Sequence, residues 1–112
     1  MHRGEIWWAA LPEPRGSEPG YRRPVVIVQA DAFNRSQIQT VVVAAITSNV
    51  RLADAPGNVR LARRQSRLSR ESVINVSQLL TLDKSFLTDR VSRLPATTMS
   101  AIEDGLRLVL AL

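Results

Sequence analysis

Apolar and polar positions along this chain fall into short strand-like runs separated by turns, until the final stretch changes period. Glu5 to Leu11 reads as a first strand by its aromatic and apolar content. Pro12 and Pro14 stop it. Residues 12 to 22 are rich in Pro, Gly and charge and read as a loop. Arg23 to Gln29 is apolar almost throughout, the pattern of a strand buried on both faces or placed centrally. Asp31 to Ser36 is polar and turn-like, and Ile38 to Ile46 forms a third strand. Residues 49 to 58 make a loop with Pro56-Gly57-Asn58 as its turn, after which Val59-Arg60-Leu61 alternates like a short strand. Ser72 to Leu82 is a long strand, Asp83 to Leu87 a helical turn, and Arg90 to Leu94 a last short strand with Val91 and Leu94 as its apolar positions.

The period then becomes helical. Pro95 opens a helix running to roughly Leu110. Met99, Ile102, Leu106, Val109 and Leu110 define its apolar stripe. Glu103 and Arg107 stand four apart on the polar side and are spaced to support each other. Gly105 costs about 1 kcal/mol of helix propensity relative to Ala, and points to close contact with a neighbouring backbone. Strands with short connections, closed by one C-terminal helix, predict a mainly β fold. We expect a small, strongly bent antiparallel sheet or barrel of about five to seven strands, with residues 1–112 as a single domain. Strand and helix do not alternate repeatedly, which argues against a doubly wound sheet.

Composition narrows the chemistry. Of 112 residues, 45% are apolar, enough for a core and against global disorder. Without cysteine there is no disulfide, thiolate nucleophile or Cys-based zinc site. The one histidine, His2, lies near a terminus, which speaks against a histidine metal centre or a deep histidine base. We therefore expect no metal and no cofactor. No apolar run has the length of a membrane span and no signal peptide is evident, so the expectation is a cytoplasmic protein without a membrane partner. Fifteen basic against ten acidic residues give a net charge of +5, and every basic residue except Lys84 is arginine. Arginine's planar fork suits bidentate phosphate contacts, so a polyanionic partner, nucleic acid first, is the natural inference.

Two features concentrate that inference. Arg22 and Arg23 stand at the mouth of the strand Pro24-Val25-Val26-Ile27-Val28-Gln29. The run Val41 to Ile46 ends in the hydroxyl pair Thr47-Ser48. A guanidinium and a hydroxyl at the ends of two core strands are working parts for handling a phosphate.

The chain resembles the MazF/PemK/Kid-type toxins of bacterial toxin–antitoxin pairs. The resemblance rests on an ordered set of motifs over nearly the full length. These are Arg3-Gly4-Glu5-Ile6-Trp7-Trp8, Arg15-Gly16-Ser17-Glu18, Arg23-Pro24-Val25-Val26-Ile27-Val28-Gln29 and Ile46-Thr47-Ser48. Pro56-Gly57-Asn58-Val59, the run Ser72 to Asp83 and Glu103-Asp104-Gly105-Leu106 complete it. It implies an SH3-like barrel with a C-terminal helix, a homodimer, and a metal-independent endoribonuclease cutting single-stranded RNA. It further implies 2′-hydroxyl attack that leaves a 2′,3′-cyclic phosphate and a 5′-hydroxyl end, and a cognate antitoxin protein that blocks the toxin.

Carried over by motif, the catalytic residues are Arg23 and Thr47. Arginine's pKa lies above 12, so electrostatic stabilisation of the phosphorane is its firmer role and proton transfer the weaker one. Thr47 would bond a phosphate oxygen or orient the 2′-hydroxyl, with Ser48 sharing the task. The plain alternatives are a solvated strand-edge charge for Arg23 and a backbone-capping hydroxyl for Thr47.

Supporting roles fall to Glu18, Gln78, Arg22, Arg63 and Arg64. Glu18 either accepts from a base edge, holds Arg23, or is an exposed loop carboxylate. Gln78 either lines the RNA cleft or points outward from its strand. The arginines between residues 60 and 70 form a phosphate track, a docking surface for an acidic antitoxin segment, or a solvated loop. Trp7 and Trp8 face opposite sides of a strand, one toward the core and the other toward an interface or a base. Few aromatics favour the dimer or antitoxin interface for the second.

Two other readings stand beside this one. A CcdB-like toxin would share the fold but inhibit DNA gyrase through its C-terminal helix, leaving Arg23 and Thr47 without a catalytic task. A non-catalytic RNA-binding barrel would bind and never cut.

Overall fold

The computed structural model describes residues 1–11 and 21–112. Its strands are β1 (Glu5–Leu11), β2 (Tyr21–Ile27), β3 (Thr40–Thr47), β4 (Val59–Leu61), β5 (Ser72–Asp83) and β6 (Leu87–Arg93). They form one antiparallel sheet in the order β4-β5-β3-β2-β1-β6, curled into a half-barrel. Two four-residue helices, α1 (Asp31–Asn34) and α2 (Arg63–Ser66), fill connections, and α3 (Ala96–Leu110) closes the chain. Helix α3 packs on β4 and β5.

Alternation along the central strands sends neighbouring residues to opposite faces. Ile6, Val26, Ala44 and Ile46 join Ile74, Val76, Met99 and Ile102 in a core beneath α3. Ala9, Val25, Ile27, Val41 and Val43 belong to a second core with Leu82 and Leu87. Both faces of β2 and β3 are thus covered, as the unbroken apolar run of β2 implies. The two tryptophans divide in the same way: Trp8 packs on the first core and Trp7 on the second, each half-buried.

The sheet bends on β5. Ala44 pairs with Leu79 but Ala45 with Asn75, so Val76, Ser77 and Gln78 bulge out of register. Asn58 braces the bend. Its Oδ1 accepts from Val76 N–H at 3.0 Å, and its Nδ2 donates to the Leu52 carbonyl at 2.8 Å. Beside it, Gly57, at φ +82°, lies against Gly105 of α3 so closely that a Cβ on Gly105 would stand 2.1 Å from the Gly57 carbonyl oxygen. The close contact expected of Gly105 is this one.

Several local expectations shift. Asp31–Asn34 is a helical turn rather than a plain turn, with Asn34 buried against Gln29. The last strand begins at Leu87, three residues earlier than its apolar pattern shows. Glu103 pairs not with Arg107 but with Arg3, 2.7 Å away across the fold, while Arg107 bonds Asp104 at 3.2 Å. Burial on α3 stops early: Met99 and Ile102 are inside, but Val109 and Leu110 are exposed, as are Leu108 and Leu112.

Candidate active site

Strand register brings Arg23 and Thr47 to the same end of the sheet. Val25 pairs with Ala45 as the last pair of the β2–β3 ladder, and Arg23 and Thr47 each lie two residues beyond it on their own strands. Both continue the face that buries Val25 and Val43. Arg23 is exposed and Thr47 half-buried at the strand end. The Thr47 hydroxyl accepts from the Asn49 N–H at 3.1 Å. It is therefore the backbone cap that the plain reading proposes, yet its own proton remains available to an incoming acceptor.

Beside this pair opens a cleft of about 360 Å³, where the first core runs out. Its apolar floor is Trp8, Pro24, Ile46 and Leu68. Arg22, Arg23 and Arg70 supply guanidinium groups, and Ser48, Ser69 and Ser72 supply hydroxyls. Thr47 is not among its lining residues. The structure thus gathers Arg22, Arg23 and Ser48 at one cleft and leaves Thr47 beside it.

Leu68 reaches the cleft from a sequence-distant segment. Arg67 turns left-handed at φ 64°, ending α2, and the Leu68 N–H donates to Ser66 Oγ at 3.1 Å. Ser92 Oγ anchors the turn by donating to the Ser66 carbonyl at 2.5 Å. Leu68, 8% exposed, also walls a more open hollow lined by Arg63, Arg64 and Glu71. The expected phosphate track therefore adjoins the cleft through one side chain. Within that track Arg60 is neutralised by Glu71.

Arg22 is held in a defined pose. Its guanidinium carbon lies 4.2 Å from the Trp8 ring centroid, and its Nη2 donates to Asp89 Oδ2 at 3.0 Å. Gln78 sits half-buried on the β5 bulge, where the register between β3 and β5 shifts. Glu18 lies outside the described residues. Sequence reasoning offered a tryptophan of the Trp7–Trp8 pair for an interface or a base and Arg70 within the arginine track, and the cleft takes in Trp8 and Arg70. It missed Tyr21, Leu68, Ser69 and Ser72 as cleft residues, and Leu68 is placed there by the turn at Arg67.

The perturbed carboxylates all move away from neutrality. At Glu5 burial pushes the carboxyl up, but hydrogen bonds from Trp7 Nε1 (3.0 Å), His2 N–H (2.9 Å) and Arg90 Nε (2.9 Å) outweigh it and hold it below its ordinary value. Asp31 is lowered by the Arg3 N–H at 2.7 Å and by Asn34, and Asp83 by the Ser85 hydroxyl and N–H. None of these shifts creates an acid or base tuned to neutral pH. Among the described residues no three His, Asp or Glu side chains converge to hold a metal ion, and no helix is long and apolar enough to cross a membrane. What the site offers is cationic stabilisation, hydroxyl donors and an apolar floor, which together suit a phosphate-linked, planar ligand.

A model of the PemK-like, MazF-like toxins of type II toxin–antitoxin systems matches residues 2–110. The chain belongs to this family. It is 51% identical over 112 residues to Endoribonuclease MazF6 of Mycobacterium tuberculosis, covering all of this chain and 98% of that relative. It is 37% identical to Endoribonuclease EndoA of Bacillus subtilis, covering 96% of that protein. Among solved structures, MazF from Deinococcus radiodurans superposes with a TM-score of 0.81 at 21% identity, covering 100% of this chain and 97% of the other. A mycobacterial endoribonuclease in complex with its cognate antitoxin gives 0.80 at 24% identity, covering 100% and 96%. The curled sheet with its closing helix is therefore the MazF fold. The gyrase-inhibitor reading finds no support in these matches.

Proposed function

We propose that this MazF-family chain is a sequence-specific endoribonuclease toxin that cuts single-stranded RNA without a metal ion and so inhibits translation and growth. Full-length 51% identity to proteins named endoribonucleases carries this reading, and the β2–β3 ladder, which brings the strand ends bearing Arg23 and Thr47 to one end of the sheet, supports it. In the proposed reaction the ribose 2′-oxygen forms a bond to the adjacent phosphorus and the bond to the 5′-oxygen breaks. A proton leaves the 2′-hydroxyl and one reaches the 5′-oxygen, giving a 2′,3′-cyclic phosphate and a 5′-hydroxyl end. Arg23 stabilises the phosphorane through its N–H groups. Thr47 donates its remaining proton to a phosphate oxygen, and Ser48 donates from the cleft side. Arg63 and Arg64 hold flanking phosphates, Arg22 supports RNA binding beside the cleft, and Gln78 and Glu18 contact bases.

The protein acts in the cytoplasm as a homodimer of single-domain subunits. A cognate antitoxin neutralises it by laying an acidic segment over the same positive surface. The exposed Leu108, Val109, Leu110 and Leu112 at the end of α3 are apolar area that a second copy would cover. Light scattering of the purified chain then gives twice its 12.4 kDa mass, and a monomer at micromolar concentration contradicts the dimer.

The primary test is cleavage of a long mixed-sequence RNA in EDTA by wild type and Arg23→Ala, with end-group mapping. Discrete fragments bearing 2′,3′-cyclic phosphate, made by wild type alone, are expected. Intact RNA with both folded proteins refutes the ribonuclease reading and leaves a binding barrel. Equal cutting by both removes Arg23 from catalysis.

A further inference from the structure

We propose that Arg22 is a fixed stacking plate for one unpaired nucleobase, and that the cleft beside it is a base-binding subsite rather than only a stretch of phosphate track. This rests on the ribonuclease reading for its substrate class. The plate is built from three strands. Trp8 of β1 pairs with Pro24 of β2 on one side and Asp89 of β6 on the other. Arg22, two residues before Pro24, shares its face and lies over the indole, 4.2 Å from the ring centroid, with Asp89 fixing its far end at 3.0 Å. A phosphate-seeking arginine needs neither support. An arginine held over an aromatic ring and tethered by a carboxylate can offer its other side to a base.

The remaining walls suit the same occupant. Pro24, Ile46 and Leu68 give a planar ring apolar contact, and the cleft's volume of about 360 Å³ is in the range of small-ligand sites. Ser48 and Ser69 carry hydroxyls that can both donate and accept, and Ser72, whose proton goes to the Arg70 carbonyl at 3.0 Å, can only accept, a mixture that fits the edge of a base better than the acceptor-only surface of a phosphate. Arg23 and Arg70 lie within the same lining, so phosphates on either side of a bound base meet positive charge. An acidic peptide would satisfy the guanidinium groups but leave the stacking face unused. Paired bases present no open face, so the plate also supplies a reason for single-strand preference.

Arg22→Lys separates the two roles, because lysine keeps the charge and lacks the plane. The probes are short 2′-O-methyl homopolymers of each base, which cannot be cleaved, and an all-abasic oligonucleotide of the same length. Fluorescence anisotropy gives their affinities for wild type and variant. We expect wild type to prefer at least one homopolymer over the abasic chain by roughly 5- to 150-fold, the scale of one stacked base. In Arg22→Lys that preference collapses, while affinity for the abasic chain and its dependence on salt stay as in wild type. Asp89→Ala, which removes the tether's acceptor, erodes the same preference. An equal base preference in wild type and Arg22→Lys overturns the plate. So does loss of abasic and base-bearing affinity in parallel, which would make Arg22 a phosphate contact. A wild type with no base preference, but with an acidic peptide displaced by the lysine variant, would assign the cleft to a protein partner and refute the proposal. Because binding is read without cleavage, a wild type that binds bases through Arg22 yet cuts no RNA refutes the ribonuclease reading and leaves the plate standing.

Discussion

The Thr47 hydroxyl both caps the Asn49 N–H and retains a proton to donate, so its two tasks can be separated by substitution. Thr47→Val keeps the shape and removes both. Single-turnover cleavage should fall about 10²- to 10³-fold, the usual loss for one donor to a transition-state oxygen, and stability by about 0.5–1.5 kcal/mol for the lost cap. Thr47→Ser should recover most of both; a Val variant that cuts at the wild-type rate would leave Thr47 a cap and nothing more. Glu5 gives a prediction in pH. Its carboxyl, 6% exposed, is lowered by bonds that exist only in the fold. A depressed folded pKa means the unfolded chain takes up the proton first as pH falls. The contribution is therefore complete above about pH 4.5 and lost below it, through the folded value. Melting temperature should drop on that acid limb, and Glu5→Gln should flatten the drop while lowering stability at neutral pH. The candidate site was legible at this scale where chemistry sits next to a strand end, as at Arg23-Pro24 and Thr47-Ser48. It was not legible at Leu68, whose place depends on a left-handed turn and two serine anchors. Nor was it at Glu103, where local spacing favoured Arg107 but the partner is Arg3 from the other end of the chain.

At the scale of elements, one backbone contact ties the helix to the sheet. Ala in place of Gly105 would gain about 1 kcal/mol of helix propensity. Its Cβ, however, would fall 2.1 Å from the Gly57 carbonyl, a backbone atom that cannot rotate aside. We expect Gly105→Ala to lose about 1–3 kcal/mol net in urea denaturation, the scale of overpacking. A stabilised variant would mean that α3 slides freely on the turn. Asn58→Ala should cost about 1–3 kcal/mol by leaving the Val76 N–H unpaired at the β5 bend. The sequence showed these elements well where pattern and packing agree. Glu5–Leu11 and Val59–Leu61 occur with the expected bounds. The single run Ser72 to Leu82 concealed a three-residue bulge because apolar content continues through it, and only the pairing partners shift. The end of the α3 stripe misled for the opposite reason: Val109 and Leu110 keep the period, but the sheet does not extend far enough to cover them.

At the scale of the whole molecule, the net charge of +5 is less informative than where the unpaired part of it lies. Arg3, Arg22, Arg60, Arg90 and Arg107 each have a carboxylate partner. Arg64, Arg67, Arg90 and Arg93 line one hollow between α2 and β6, and among the described residues only Arg90 of these has such a partner. Arg64 also borders the hollow that shares Leu68 with the cleft. A positive path therefore leads from Arg70 across Leu68 to Arg64, Arg67 and Arg93. An RNA longer than the cleft should follow it, releasing counterions at each phosphate it meets. For single strands the logarithm of affinity falls with the logarithm of salt by about 0.7 per contact, so replacing Arg64, Arg67 and Arg93 together by Ala should shallow that slope by about 2 for a long non-cleavable RNA. An oligonucleotide just long enough for the cleft should show no change in slope, because its phosphates end before the path does. A long RNA whose slope survives the triple substitution would move the path off this face, while an equal change for short and long RNA would place these arginines inside the binding site itself.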